Sequence, residues 1–393
     1  MKYDFDKITN RQGTGCIKYD FPEAFGRPKD VLPMWVADMD FPTAQGIIDR
    51  LTERVSHGIF GYSDSDDAYF SAVYNWYKNN FDWEVKKEWL VKTPGVVFAL
   101  AAAVRAFTKE GDAIMIQQPV YYPFAKVIEN NRRILINNPL QLVDGHYEMD
   151  FADMEEKIVK HQVKLLILCS PHNPVGRVWK EWELQKVGEI CQKYDVKIVS
   201  DEIHSDFTYP GHKHHVFTTI SKNFEDISMV CTAPSKTFNL AGLQISNIFI
   251  ANPKMKQAFL RAIDEVGYEE VNVMGMTACQ AAYEEGGEWL TQLKEYLCEN
   301  LAYIRTYLAE NLPQIKLIEP EGTYLVWLDC SALGMSGEER DKFMLQDAKI
   351  WLDTGAMFGA DGENFERVNI TCPRAVLKQA LEQLKAACDK LNA

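Results

Sequence analysis

Four apolar runs in this chain end on residues that carry reactive or ligand-holding groups. KLLILCS leads into PHNPVG and the amide of Asn173, and KIVS leads into the carboxylate of Asp201 and the imidazole of His204. ISMVCTAP leads into the hydroxyl of Ser235 and the amine of Lys236, and LVKT leads into Pro94, Gly95 and Val96, where a helical pattern begins. In open α/β sheets ligands lie beyond the carboxyl ends of the strands, so these are the places to look for chemistry. Singly, each has an ordinary reading. P-x-N-P-x-G is a tight turn, an Asp after a strand is a helix cap, and a lysine before a helix is a solvated charge. Together, and in this order, they form a set that none of those readings explains.

The elements that must position them follow from periodicity. Helical patterns cover Thr43–Ser56, Asp67–Asn80, Val96–Lys109, Phe151–Lys160 and Trp182–Tyr194. Strand patterns cover Trp89–Lys92, Ala113–Ile116, Arg133–Ile136, Lys164–Cys169, Lys197–Ser200, Ile227–Cys231 and Asn247–Ile250. Runs such as VKLLILCS are continuously apolar, as strands buried on both faces are, which predicts an α/β unit with a mostly parallel central sheet flanked by helices. Beyond residue 252 the pattern changes to helices over Met255–Glu285, in pieces, and Trp289–Glu310. Strands over Lys316–Glu319 and Tyr324–Asp329 and a closing helix from Ala375 follow. The expected division is an N-terminal segment (1–45) packing with the small domain, a large α/β domain (46–285) and a small α+β domain (286–393).

Composition removes several function classes. Of 393 residues, 42 are basic and 56 acidic, a formal charge of −14, which disfavours nucleic acid or an anionic membrane surface as partner. The apolar run Val96 to Val104 is far short of the ~20 residues a membrane helix needs. The opening MKYDFDKITN contains Asp4 and Asp6 and no apolar core, so it predicts no signal peptide and a cytoplasmic protein. Nine cysteines are scattered without a C-x-x-C pair, which reads as reduced thiols. His212, His214 and His215 fall in a Pro-Gly loop with no acidic or thiol ligand close in sequence, and no metal is expected.

Asn173, Asp201 and Lys236, with Pro119-Val120-Tyr121 upstream and Arg367 downstream, resemble the pyridoxal-phosphate (PLP) enzymes of fold type I, the aspartate-aminotransferase superfamily of class I and II. The resemblance runs from about Tyr62 to Arg367 and includes the elements N-P-x-G, D-E and S-K-T-F-N-L-A-G. It implies PLP as cofactor, with Lys236 condensing with its aldehyde and later moving the substrate Cα proton. Asp201 would keep the pyridine nitrogen protonated, Asn173 would donate to the ring oxygen, and Tyr121 would stack on the ring. Backbone N–H groups of Val96 and Val97 would receive the phosphate at a helix N-terminus, with Ser235 adding a hydroxyl and Thr232 a weaker candidate. Tyr62 would reach the phosphate of a neighbouring subunit, making the active unit a homodimer. Arg367 would grip the substrate α-carboxylate, while Arg374 reads as a surface or structural arginine. Two positions depart from the pattern. His204 stands where many relatives have a tyrosine, so that Tyr122 becomes an alternative hydroxyl, and Gln244 stands where many have a phosphate-binding arginine.

The segments NRQGTGCIKYD, VLPMWVADMDF, PVYYPF, CSPHNPVGRVW, DEIHSDF and TAPSKTFNLAG narrow the resemblance to the carbon–sulfur β-lyases, the group of bacterial cystathionine β-lyases and cystalysin. Gly15-Cys16 and Tyr19 depart from that group. The segment with Trp35, Ala37 and Asp38 is expected to line the substrate cleft, with the Ala37 N–H assisting Arg367. The implied activity is α,β-elimination of a sulfur amino acid. An aminotransferase using the same residues, or a PLP-binding regulator of a transcription factor, are the other readings.

Overall fold

The computed structural model describes residues 2–391. Its centre is a seven-stranded sheet in the order Leu90–Thr93, Ser246–Phe249, Ser228–Thr232, Lys197–Asp201, Leu165–Cys169, Ala113–Ile116 and Ile134–Asn137. All pairs are parallel except those made by Ser246–Phe249, which is antiparallel to both neighbours. The other six strands therefore point their carboxyl ends to one edge.

The continuous apolar runs have the expected cause. In the Leu165–Cys169 strand, Leu166 and Leu168 pack into one core with Met154 and Leu184 from the helices Phe151–His161 and Glu181–Lys193. Leu165, Ile167 and Cys169 pack into another with Leu100 and Phe259 from the helices Val96–Phe107 and Pro253–Asp264. Successive side chains of a strand point to opposite faces, so a strand covered on both sides must be apolar throughout.

A second, four-stranded antiparallel sheet has the order Lys316–Ile318, Leu325–Asp329, Phe365–Asn369 and Asp353–Thr354. The helices Gly287–Asn311 and Arg374–Leu391 contribute Leu297, Leu301, Leu377 and Leu381 to the core beside it. The N-terminal segment joins this region through Leu32–Pro33, which pairs in parallel with Ile350–Trp351.

Most expected elements occur within two residues of their expected ends, and the helical stretch after residue 252 breaks into Pro253–Asp264 and Val273–Glu285. Periodicity missed several elements, among them the strands Asp353–Thr354 and Phe365–Asn369, the second of which carries Arg367. The helix Pro123–Asn130 is short, and Gly337–Gln346 is announced mainly by its Ser336/Glu339 capping box. The hairpin of Gln141–Val143 with His146–Glu148 turns at Asp144-Gly145, both at positive φ (49° and 81°), the two-residue turn that Asp-Gly favours. No helix among the described residues is long and apolar enough to cross a membrane.

Candidate active site

The carboxyl edge of the large sheet gathers the residues singled out above. Asp201 ends its strand, 4% exposed, and its Oδ1 accepts the Ile203 N–H at 3.2 Å. No cation among the described residues stands within ion-pair distance of it. Burial raises its carboxyl to about 7; Glu202 adds to the rise, and the Ile203 N–H and Lys236 oppose it. One strand over, Ser228–Thr232 feeds the four-residue helix Pro234–Thr237, which carries Ser235 and Lys236. The Lys236 Nζ donates to the Ala37 carbonyl at 2.7 Å. Burial lowers the amine to about 8, with nearby Arg367 pushing the same way and Asp38 and Asp201 opposing.

Asn173 follows the Leu165–Cys169 strand in a buried turn, and its Oδ1 accepts from Arg367 Nη1 at 2.9 Å. That contact sets the amide's orientation and leaves its N–H groups as the donor side. Arg367 comes from the second sheet, 2% exposed, and its guanidinium also donates to the Trp35 carbonyl at 3.2 Å and to Asp353, its partner on the neighbouring strand. The guanidinium lies over the Phe358 ring at 4.8 Å, and its buried Nε has no partner among the described residues.

The segment between the two sheets is held carbonyl by carbonyl. Trp35 O takes Arg367; Val36 O takes Asn369 Nδ2 at 2.7 Å; Ala37 O takes Lys236 and the Tyr324 hydroxyl; Asp38 O takes Asn369 and Thr371. Asn239, three residues after Lys236, donates to the Met39 and Phe41 carbonyls and accepts from the Met39 N–H. The Ala37 carbonyl is the group facing Lys236. The Trp35 indole stacks on Trp351 at 4.3 Å, and Asp38 pairs with Arg11, which also pairs with Asp40 beside Lys18. Tyr19 donates to Asp40, so the departure at this position is absorbed into a buried charge network.

The remaining candidates fall into place less uniformly. Tyr121 and Tyr122 lie side by side, centroids 5.4 Å apart, and burial raises both phenols. His204 is buried, its ring T-shaped against Tyr324, with no partner on Nδ1 among the described residues; burial, then Lys236 and Arg367, drive it well below its usual value, so it is a neutral imidazole. Val96 and Val97 open a twelve-residue helix that no side chain caps. Ser235 is half-buried, whereas Thr232 spends its hydroxyl on the Asn247 carbonyl inside the sheet. Gln244 is exposed, and Arg374 donates to Asn300. Tyr62 is 93% exposed and lines a cleft of about 730 Å³ with Lys92, Lys256 and Tyr268, so it does not join the cluster within its own chain. His214 hydrogen-bonds Glu202 at 2.8 Å, and no group of three or more metal-type ligands occurs among the described residues.

Sequence reasoning missed Asp353, Asn369, Tyr324 and Asn239. Asn239 lay within a motif already singled out, and Asn369 is two residues from Arg367 on the same strand face. Asp353 and Tyr324 had no local signal.

These residues fit PLP. A buried carboxylate with no cation beside it suits a protonated ring nitrogen, a desolvated amine suits an aldehyde, and an uncapped helix start on the same edge suits a phosphate. Comparison with known proteins agrees. Residues 29–384 match the family model for aminotransferase class I and II. The chain is 45% identical to cystathionine beta-lyase PatB of Bacillus subtilis over 98% of this chain and 99% of that protein. Among solved structures, cystalysin of Treponema denticola, which contains pyridoxal 5'-phosphate, superposes with a TM-score of 0.96 at 38% identity, covering both chains completely. A PLP-bound putative aminotransferase of Clostridium difficile superposes with a TM-score of 0.95 at 44% identity, covering 98% of this chain and 99% of that one.

Proposed function

The chain belongs to the aminotransferase class I and II family, and from that premise we propose that it is a PLP-dependent carbon–sulfur β-lyase that splits a sulfur amino acid into a thiol, pyruvate and ammonia. The observation that carries this reading is the convergence of Lys236, Asp201, Asn173 and Arg367 in a chain alike over its full length to a cystathionine beta-lyase.

When bound, PLP supplies an electron sink for the pair released at the substrate Cα. Arg367 holds the α-carboxylate, and Asn173, oriented by Arg367, donates to the ring oxygen. Asp201 holds the proton on the ring nitrogen. Lys236, whose amine is neutral for a large part of the time near pH 8, takes the Cα proton on Nζ. The bond from Cβ to sulfur then breaks with its electron pair on sulfur; a thiol of pKa about 8.5 is a competent leaving group. The unsaturated amine left behind is hydrolysed to pyruvate and ammonia. Val96, Val97 and Ser235 would hold the phosphate, Tyr121 would stack on the ring, and Tyr122 or the neutral His204 would serve the ring oxygen. Trp35 and Ala37 bound the substrate side.

The active unit in this reading is a homodimer in which Tyr62, exposed on its own chain, completes the partner's phosphate site. None of the nine cysteines is in a disulfide, which supports a reducing, cytoplasmic setting.

Purified protein loaded with PLP and given cystathionine or cysteine, with pyruvate measured by a coupled assay, tests the reading. Pyruvate release with no 2-oxo acid present is the expected result. Turnover that requires a 2-oxo acid would identify an aminotransferase instead.

A further inference from the structure

Asp206 is a carboxylate without an assigned task. It lies five residues beyond Asp201, its Oδ1 accepting from the Trp76 indole at 3.2 Å and its Oδ2 from the Thr237 hydroxyl at 2.6 Å. Thr237 directly follows Lys236. No lysine or arginine among the described residues comes within ion-pair distance of Asp206, and burial raises its pKa; Lys294, on the helix Gly287–Asn311, opposes that shift from farther off, as do the hydrogen bonds from Thr237 and Trp76 and the nearby His214. Asp206 is half-buried, and withdrawing part of a carboxylate from water against neutral donors costs more than doing so with an amide or an apolar side chain of similar size, so packing alone gives no reason for it.

The reason lies in the element it grips. The helix Pro234–Thr237 is four residues long, too short to hold its own geometry. Its backbone is fixed at the carboxyl end by Phe238 and Leu240, and Asn239 ties the following turn to Met39 and Phe41. Asp206 is the side-chain anchor of the helix's last residue, Thr237, joining this helix to the loop that follows Asp201. We propose that Asp206, through the Thr237 hydroxyl, is a positioning residue for Lys236: it sets where Nζ stands relative to Asp201, and hence relative to the substrate Cα and the cofactor ring. This rests on the reading of Lys236 as the cofactor lysine. A charged acceptor serves here because its hydrogen bond to a hydroxyl is shorter and stronger than that of a neutral amide, and reacting groups misplaced by about 1 Å lose on the order of a hundredfold in rate.

The test uses full-length holoenzyme with Thr237→Val, Thr237→Ser, Asp206→Asn and Lys236→Ala. Four quantities are read: kcat and KM for β-elimination, the dissociation constant of PLP, the pH midpoint of the visible absorbance of the lysine-bound cofactor, and thermal stability. Thr237→Val is expected to lower kcat by about tenfold or more with KM changed little, and to move the spectral midpoint. Thr237→Ser, which keeps the hydroxyl, should restore both. Asp206→Asn should fall between them. Thr237→Val protein with wild-type kcat and midpoint, whatever its stability, overturns the proposal, and so does a loss that Thr237→Ser does not repair. If Thr237→Val does not fold, Asp206→Asn decides on the same readouts. Should Lys236→Ala keep full activity and the visible band, the reading of Lys236 itself fails; if it loses both while Thr237→Val behaves as wild type, only the positioning role fails.

Discussion

Arg367 donates through Nη1 to the Asn173 Oδ1 at 2.9 Å, linking a side chain of the small antiparallel sheet to a turn at the edge of the large one. The group proposed for the substrate carboxylate thereby orients the group proposed for the cofactor oxygen. Arg367→Ala should weaken every candidate amino acid by a similar factor, about 1.5–3 kcal/mol or roughly 10- to 150-fold in KM, because all share the α-carboxylate. Arg367→Ala and Asn173→Ala combined should cost less than the sum of the two, since each removes part of the same contact. Steady-state kinetics on cystathionine and cysteine check both statements.

Asp201→Ala should leave the fold intact and lower kcat by several orders of magnitude, on the scale of ~3–6 kcal/mol of transition-state stabilisation, because the carboxylate matters most when charge flows toward the ring. Retention of more than about a tenth of wild-type kcat would reduce Asp201 to a residue that braces the turn through the Ile203 N–H.

Reconstitution of cofactor-free protein should depend on pH through Lys236. The free amine adds to an aldehyde and the ammonium does not, and burial has brought this amine from 10.5 to about 8. The rate of appearance of the visible band should rise with pH and level off above about 8 rather than climbing toward 10.5. The sign for stability agrees: between 8 and 10.5 the unfolded chain binds a proton that the folded site does not, so this group's contribution to stability falls as pH is lowered through that window. Calorimetry of the cofactor-free protein reads the second effect, stopped-flow absorbance the first.

Lys236→Ala should abolish turnover while binding PLP weakly, and Tyr62→Ala should lose cofactor. Mixed under conditions of subunit exchange, the two inactive proteins should regain activity in heterodimers, where one of the two sites holds both native residues. Heterodimers confirmed by mass but inactive would confine Tyr62 to its own chain.

The order of strands and helices, and the placement of Asn173, Asp201 and Lys236 at strand ends, were legible from sequence because they follow from local patterns: apolar runs for strands buried on both faces, and turn or helix-start residues directly after them. The family was legible because those residues sit at fixed offsets within phrases such as TAPSKTFNLAG. Asp353 beside Arg367, Tyr324 on the Ala37 carbonyl, Asp206 on Thr237 and Glu202 on His214 were not. Each joins residues 12 to 287 positions apart in the chain, and no local periodicity encodes which distant donors converge on one carboxylate or carbonyl. The loop holding His214 showed no acidic neighbour in sequence; the fold supplied one from the end of the central strand. The acidities of Lys236 and Asp201 were decided the same way, since desolvation depends on everything packed around a group and only the folded chain assembles that surround.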